Sequence, residues 1–441
     1  MMGGFRSAGI SIRQTDAATY LSASLLALVV LMVSFSPRFN VSFLSQIVGR
    51  SAELRLQDLW LLVTLFVAIA LAANSRQVLQ SPWHPWFFRI FFLLLVISFI
   101  SLATSSTFAL SQLGYAARFF QFFLFVFTIA VLRYRAGSIG DVFVLASLCF
   151  GFIANALNAF SMQLQGEIAS YSSSTMDFSS VFYGPSMLFE PNSLSSGLYF
   201  VAGSAFFSAL YLAKRINPII FIVLEVSIAA ILLAVGDRAS FVAFIGVSLF
   251  TFTFKYRAKF VLLSALFFVG LWFIVARLAD IGVGYWRFQS RYLWESAEAR
   301  SNIWRANLDQ VMERPFFGWG PGGSSAANNF VGISEPHNAY IRLLQEYGLV
   351  GTIAFGILIL VILKRTPLRN SLRVPSVRHL PFQFIWAFTL KAYLVALLVA
   401  GVLTDSFTTT ISWYLLAIFT GLAWGSTSSQ FFTSPKIVVE D

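Results

Sequence analysis

Charge is what this chain has least of. Only 11% of its 441 residues are Asp, Glu, Lys or Arg, against about a quarter in a soluble domain. It has one cysteine, Cys149, which excludes an internal disulfide and a cysteine metal cluster. It has three histidines, His84, His337 and His379, and no HExxH or other carboxylate–histidine cluster at metal-ligand spacing. No GxSxG elbow and no kinase motif set is present. These absences exclude an ordinary soluble enzyme, a disordered chain and a secreted disulfide scaffold. They favour chemistry without a metal or cofactor, in which arginine does the work of a divalent ion.

What is present is apolar. Hydrophobic residues make up 58% of the chain and Phe alone contributes 49 residues. A membrane span needs ~20 mostly apolar residues. The chain offers twelve: 18–35, 57–73, 87–106, 112–132, 141–161, 193–213, 217–235, 239–254, 259–276, 338–363, 383–404 and 411–427. The first follows a lead carrying Arg6, Arg13 and Asp16 with no small-residue cleavage site, so it reads as a retained span. The expected fold is all-α, a polytopic integral membrane helix bundle of about 12 transmembrane helices. It forms one transmembrane domain over 1–441, with one large external loop, 277–337, between spans nine and ten.

Every second connection is basic. Examples are Arg133 and Arg135, Lys214 and Arg215, Lys255 to Lys259, and the run from Lys364 to Arg378. These connections hold more than half of the 30 Lys and Arg. The positive-inside rule then places both termini in the cytoplasm. The net charge of +11 is a topology signal, and no basic, aromatic-interleaved surface for nucleic acid is seen. The opposite connections, which include 162–192, 236–238, 277–337 and 405–410, face outward.

His337 is the one external histidine, within SEPHNAYIRLLQEYGLVGTIAFG. Pro336 suits a first helical turn, so His337 and Asn338 are expected to open span ten. Tyr340, Ile341, Leu344, Gly348 and Gly351 then share a stripe with His337. The two glycines would admit a neighbouring helix. A helix N-terminus attracts an anion and keeps a nearby imidazole neutral, as a base requires. The plain alternative is an interfacial histidine that caps a helix.

Arg238 lies in AVGDRASF, in a hairpin too short to expose it fully. Charge at such depth faces a cavity or a partner. One reading is an Asp237–Arg238 pair or an arginine snorkelling to headgroups. The other is a bidentate phosphate clamp. Arg118, near the outer end of span four, is placed to join it. The 277–337 loop carries Arg277, Arg287, Arg291, Arg300, Arg305 and Arg314, balanced by acidic residues. They read either as a solvated face or as an electropositive vestibule. Residues 295–313 have helical periodicity, with Ile303, Trp304, Leu308 and Val311 on one face, and are expected to lie on the membrane surface. FFGWGPGGSS is a glycine-rich turn without the GK[ST] ending of a P-loop. Arg342 and Glu346, four apart, are spaced to pair.

These residues resemble a family. His337-Asn338, nine residues, then Gly348-Leu349-Val350-Gly351 fits the H-[NSQ]-x9-G-x-x-G pattern of bacterial O-antigen ligases. The upstream RSNIWRANLDQVMERPFFGWGPG is similar to the stretch before that histidine in O-antigen ligases and O-antigen polymerases. Arg238 resembles the arginine of the short external hairpin, and Pro191-Asn192 the external Pro-Asn segment before a span. Ligases often show Arg-x3-Leu, whereas here the fourth residue after Arg238 is Val242. The resemblance implies transfer of a glycan from undecaprenyl diphosphate. The acceptor is a sugar hydroxyl of lipid A–core in a ligase, and a second glycan repeat unit in a polymerase. It implies a periplasmic active site in the inner membrane and no cofactor or metal. It further implies His337 and Arg238 as catalytic, with Arg238, Arg291, Arg300 and Arg118 at the donor diphosphate. Asn192, Glu335, Asn338 and Tyr340 would serve the acceptor sugar. A lipid-linked glycan flippase is the rival class. It would show paired broken helices in two related halves, and no such pair stands out.

Overall fold

The computed structural model describes residues 17–35, 38–40, 53–73, 84–104, 110–164, 193–235, 237–256, 270, 273, 277, 290–323, 336–366, 368, 381–404 and 410–430. Span nine, 259–276, lies almost wholly outside them, as do Asn192 and Glu335. Eleven helices are described: α1 (Ala17–Phe35), α2 (Leu56–Ala73), α3 (His84–Thr104), α4 (Leu110–Leu164), α5 (Ser193–Leu212), α6 (Pro218–Val235), α7 (Arg238–Tyr256), α8 (Ser290–Glu313), α9 (Ala339–Arg365), α10 (Phe382–Gly401) and α11 (Thr410–Gln430). Two three-residue strands, β1 (Arg38–Asn40) and β2 (Glu53–Arg55), pair antiparallel before α2.

Helices stand at the apolar runs because hydrocarbon leaves no water for backbone N–H and C=O groups. Five are long and apolar enough to cross a membrane: Ala17–Phe35, Phe120–Asn158, Arg238–Lys255, Ala339–Lys364 and Phe382–Gly401. Phe88–Ala103, Gly197–Leu212 and Pro218–Leu233 are shorter apolar helices. Exposed apolar side chains such as Phe66, Phe92, Ile219 and Leu360 point outward, as a lipid-facing surface requires.

The centre of the bundle is α10. Phe384, Trp386, Phe388, Tyr393 and Leu397 on it are fully buried, and it packs against α5, α7 and α11. Large aromatics fill the space between helices. The Phe206 and Trp386 rings stack at 5.9 Å, and Phe250 and Phe388 lie 5.3 Å apart. Glycines set the closest approach where α11 meets α4. A Cβ on Gly421 would lie 2.6 Å from Cβ of Ile129.

The connection between spans four and five differs from a solvated basic loop. Helix runs through it, broken only at Gly137, whose φ of 58° no other residue type adopts cheaply. Arg133 and Asp141 bracket the break and are buried. Arg133 Nη2 donates to Asp141 Oδ2 at 2.6 Å, and Trp386 Nε1 donates to Asp141 Oδ1 at 2.7 Å. The pair pins both halves of α4 to α10. An Asp141→Ala variant strands a buried guanidinium, a change that costs about 3–5 kcal/mol. Thermal unfolding of the purified variant in detergent checks this, and wild-type melting would refute it.

Candidate active site

The site is built from four chain segments. The first is the tight turn between α6 and α7. Asp237 caps α7: its Oδ1 accepts from the Ala239 N–H at 3.2 Å, and its Oδ2 takes a short hydrogen bond from the Ser240 hydroxyl. This is the ordinary N-cap use of Asp. Arg238 is the first residue of α7 and is half-buried.

The second segment is the start of α5, immediately after Asn192. Gly197 faces the turn so closely that a Cβ there would overlap the Ser240 hydroxyl and lie 3.0 Å from Asp237 Oδ2. The third is α8. Burial holds the Arg300 pKa below its ordinary value, and the charge of the Asp237 carboxylate opposes that shift. Arginine stays protonated in proteins, so Arg300 is a partly desolvated cation whose field water screens weakly.

The fourth segment carries His337. One helical turn beyond Arg300, the Trp304 indole N–H donates to the Pro336 carbonyl at 2.8 Å. Asn338 caps α9, its Oδ1 accepting from the Tyr340 and Ile341 N–H groups at 3.0 and 3.1 Å. Its Nδ2 donates to the Val402 carbonyl at 3.0 Å. The Ala339 N–H donates to the Thr404 carbonyl at 3.2 Å. His337 is thus clamped on both sides while its own side chain is exposed. Its φ is +45°, a left-handed conformation in which His is enriched among non-glycine residues and which often marks functional strain.

This geometry corrects two expectations and adds a detail of α8. His337 does not open the helix: α9 starts at Ala339, and Asn338 is the cap. The stripe from His337 to Gly351 does not run as one face, because α9 breaks at Gly348, with φ 61° and ψ −167°. The inward face of α8 is mixed: Asn307, Gln310 and Val311 are buried and Arg300, Ile303 and Trp304 partly so, whereas Leu308 is 43% and Met312 75% exposed. Leu308 and Met312 face out beside the exposed Glu298, Arg305 and Asp309, which suits a helix lying in an interface.

The break at Gly348 is filled by the glycine-rich turn. An unbroken helix would join the Leu349 and Val350 N–H groups to the Gln345 and Glu346 carbonyls. Instead Leu349 and Val350 donate to Pro315 and Phe316 carbonyls at 2.7 and 3.2 Å. The freed Gln345 and Glu346 carbonyls accept from Trp319 and Gly320 at 2.8 and 2.9 Å. Four bonds to the turn thus replace two within the helix. The Ser101 hydroxyl of α3 holds the Phe317 carbonyl at 2.6 Å, and the Arg314 guanidinium lies 4.3 Å over the Trp319 ring. Beneath, Arg342 and Glu346 form the expected pair, 3.0 Å apart and buried. The seam bolts the end of α8 into α9, so Arg300 and Trp304 are placed by a rigid support.

The structure therefore ties Trp304 to the residue before His337, while Arg300, one turn earlier on α8, feels the Asp237 charge. Asn338 and Tyr340 are tied into the fold instead of facing an open site, since the Tyr340 hydroxyl donates to the Leu398 carbonyl at 2.6 Å. Arg291 lies in the first turn of α8 and Arg118 in the first half of α4, with side chains outside the described residues. Spacing marks Gly348 as part of the G-x-x-G motif and Trp304 as part of the apolar face of 295–313; the hydrogen bonds that make them positioning residues come from the structure.

The described helices of membrane-spanning character define a membrane protein, and it carries a clamped histidine and partly buried arginines. Residues 223–356 match the model of the O-antigen ligase family. The matched stretch runs from within α6 to within α9 and contains Arg238, Arg300, His337 and Gly348. No curated protein matches the chain.

Proposed function

We propose that the chain is an inverting membrane glycosyltransferase of O-antigen ligase type. It would span the bacterial inner membrane twelve times, with both termini in the cytoplasm and His337 facing the periplasm. The donor would be a glycan on undecaprenyl diphosphate and the acceptor a sugar hydroxyl of lipid A–core. One observation supports this reading: the Trp304 indole ties α8, the helix that carries Arg300, to the carbonyl immediately before His337.

In this mechanism Arg238 and Arg300 bind the diphosphate, with Arg291 from the same helix and Arg118 from α4. His337 accepts the proton of the acceptor hydroxyl. The hydroxyl oxygen attacks the anomeric carbon, and the bond from that carbon to the diphosphate oxygen breaks. Undecaprenyl diphosphate leaves, its new negative charge held by the arginines. Attack from the face opposite the leaving group inverts the centre. Asn192, directly before α5, and Glu335, two residues before His337, would contact sugar hydroxyls. Asn338 and Tyr340 would act by holding the His337 backbone.

Arg238→Ala should lower turnover by about 10²–10³-fold, the loss typical of one transition-state donor. Arg238→Lys should recover only part of it, because a point charge lacks the planar fork. Release of undecaprenyl diphosphate in detergent is the readout. Near-normal release from Arg238→Ala would remove it from the donor site. No release from the wild type would favour a flippase. With lipid A–core present, a single transfer supports a ligase, and a ladder of repeat units a polymerase.

A further inference from the structure

The far end of α7 carries a feature that glycan transfer leaves unused. A cavity of about 530 Å³ is lined by Tyr211, Leu212, Lys214, Ile216, Pro218, Phe254, Lys255 and Phe384. Lys255 is 17 residues from Arg238 along α7, so the cavity sits about 25 Å from the Arg238 turn at ~1.5 Å per residue. It is separate from the candidate active site.

Its chemistry is two-sided. Two ammonium groups and a phenol line one part, and aliphatic and aromatic side chains the rest. None of the described lining residues is acidic. Lys255 lies 4.0 Å over the Tyr211 ring and donates to its hydroxyl. The Tyr211 ring in turn stacks on Phe221 of α6 at 4.4 Å. Arg215 adds a third cation nearby, held 5.2 Å over the Phe382 ring.

Lys214 is the informative residue. The Arg215 N–H bonds to the Leu210 carbonyl and the Lys214 N–H to the Tyr211 carbonyl, so α5 ends in a Schellman motif. Lys214 occupies its left-handed position, φ 57°, where glycine is the usual residue. A lysine kept at a position that favours glycine points to use of its side chain. Directly beyond the cavity, α6 presents Ile219, Ile220, Ile222, Val223 and Val226, all more than half exposed. An apolar track therefore leads away from a cationic lip.

We propose that this cavity is a headgroup site for an anionic phospholipid. Lys214 and Lys255 hold the phosphate, and an acyl chain lies along the exposed face of α6. Free phosphate could satisfy the lysines but has no use for the apolar track.

The test uses the full chain in detergent, titrated with phosphatidylglycerol, phosphatidylcholine or inorganic phosphate, and read by melting temperature and by lipid adducts in native mass spectrometry. Phosphatidylglycerol should raise the melting temperature and remain bound, and the other two should not. Lys214→Gly with Lys255→Gln should weaken its apparent affinity about 30-fold, at roughly a tenfold or less per lysine near a membrane surface. Glycine suits the left-handed backbone, so loss of the effect would not come from a disrupted helix end. Lys214→Arg with Lys255→Arg should keep the lipid shift. The proposal is overturned if the uncharged variant binds phosphatidylglycerol as wild type does. Equal binding of phosphatidylcholine, the same shift from inorganic phosphate alone, or loss of the shift in the arginine variant would also overturn it.

Discussion

Replacing His337 should lower glycan transfer by about 10²–10⁴-fold, the range lost with a general base, while the protein keeps its melting temperature. The side chain is exposed, so its removal opens no cavity. The backbone around it is held by groups other than the imidazole: Trp304 on the Pro336 carbonyl, Val402 on the Asn338 amide and Thr404 on the Ala339 N–H. One complication is the φ of +45°, where alanine carries a strain of roughly 1–2 kcal/mol. Asn adopts this conformation more readily. His337→Asn therefore removes the base with little backbone cost, and it should lose as much activity as His337→Ala. Purified His337→Asn that releases undecaprenyl diphosphate at near-normal rates would end the assignment of His337 as base.

Gly348→Ala should do most damage to stability. The position has φ 61°, and a Cβ there would overlap the Phe316 carbonyl and lie 2.5 Å from the Phe317 nitrogen. Both are backbone, so no rotamer change relieves the clash. The relief available is to expel the 315–320 turn, which gives up four backbone hydrogen bonds at about 1 kcal/mol each. The expected loss is on the order of 4–5 kcal/mol, at the top of the range for single substitutions. Activity should fall with it, because α8 loses the support that places Arg300 and Trp304. Gly356→Ala on the same helix is the control. Nothing lies within 4 Å of a Cβ there, and alanine favours helix over glycine by about 1 kcal/mol. Melting curves for the two variants decide the matter: equal stability would mean that the seam at Gly348 is not a strong support.

How much of this was legible beforehand depends on the kind of residue. Helix positions were readable because an apolar run of span length has one good way to satisfy its backbone. The Arg342–Glu346 pair was readable because a spacing of four places side chains on one helical face. Arg238 and His337 stood out because so few charged or titratable residues exist to compete with them. Arg300 could not be separated from Arg291 by spacing.

The sequence by itself determined that the chain is helical and apolar, where most of the described helices begin and end to within a few residues (spans four and five, which run on as α4, are the exception), and which polar residues merited attention. Periodicity and hydropathy are local properties, and they are complete within a dozen or two residues. The tertiary structure alone decided that Asn338 caps α9 and leaves His337 strained outside it. It also decided that Asn307 and Gln310 of α8 turn inward, and that the 315–320 turn fills a break in α9. Each of these depends on hydrogen bonds between groups far apart in the chain, such as Asn338 to Val402 and Trp319 to Gln345. No periodic pattern encodes such partners, because they are set by which segments the packed bundle brings together.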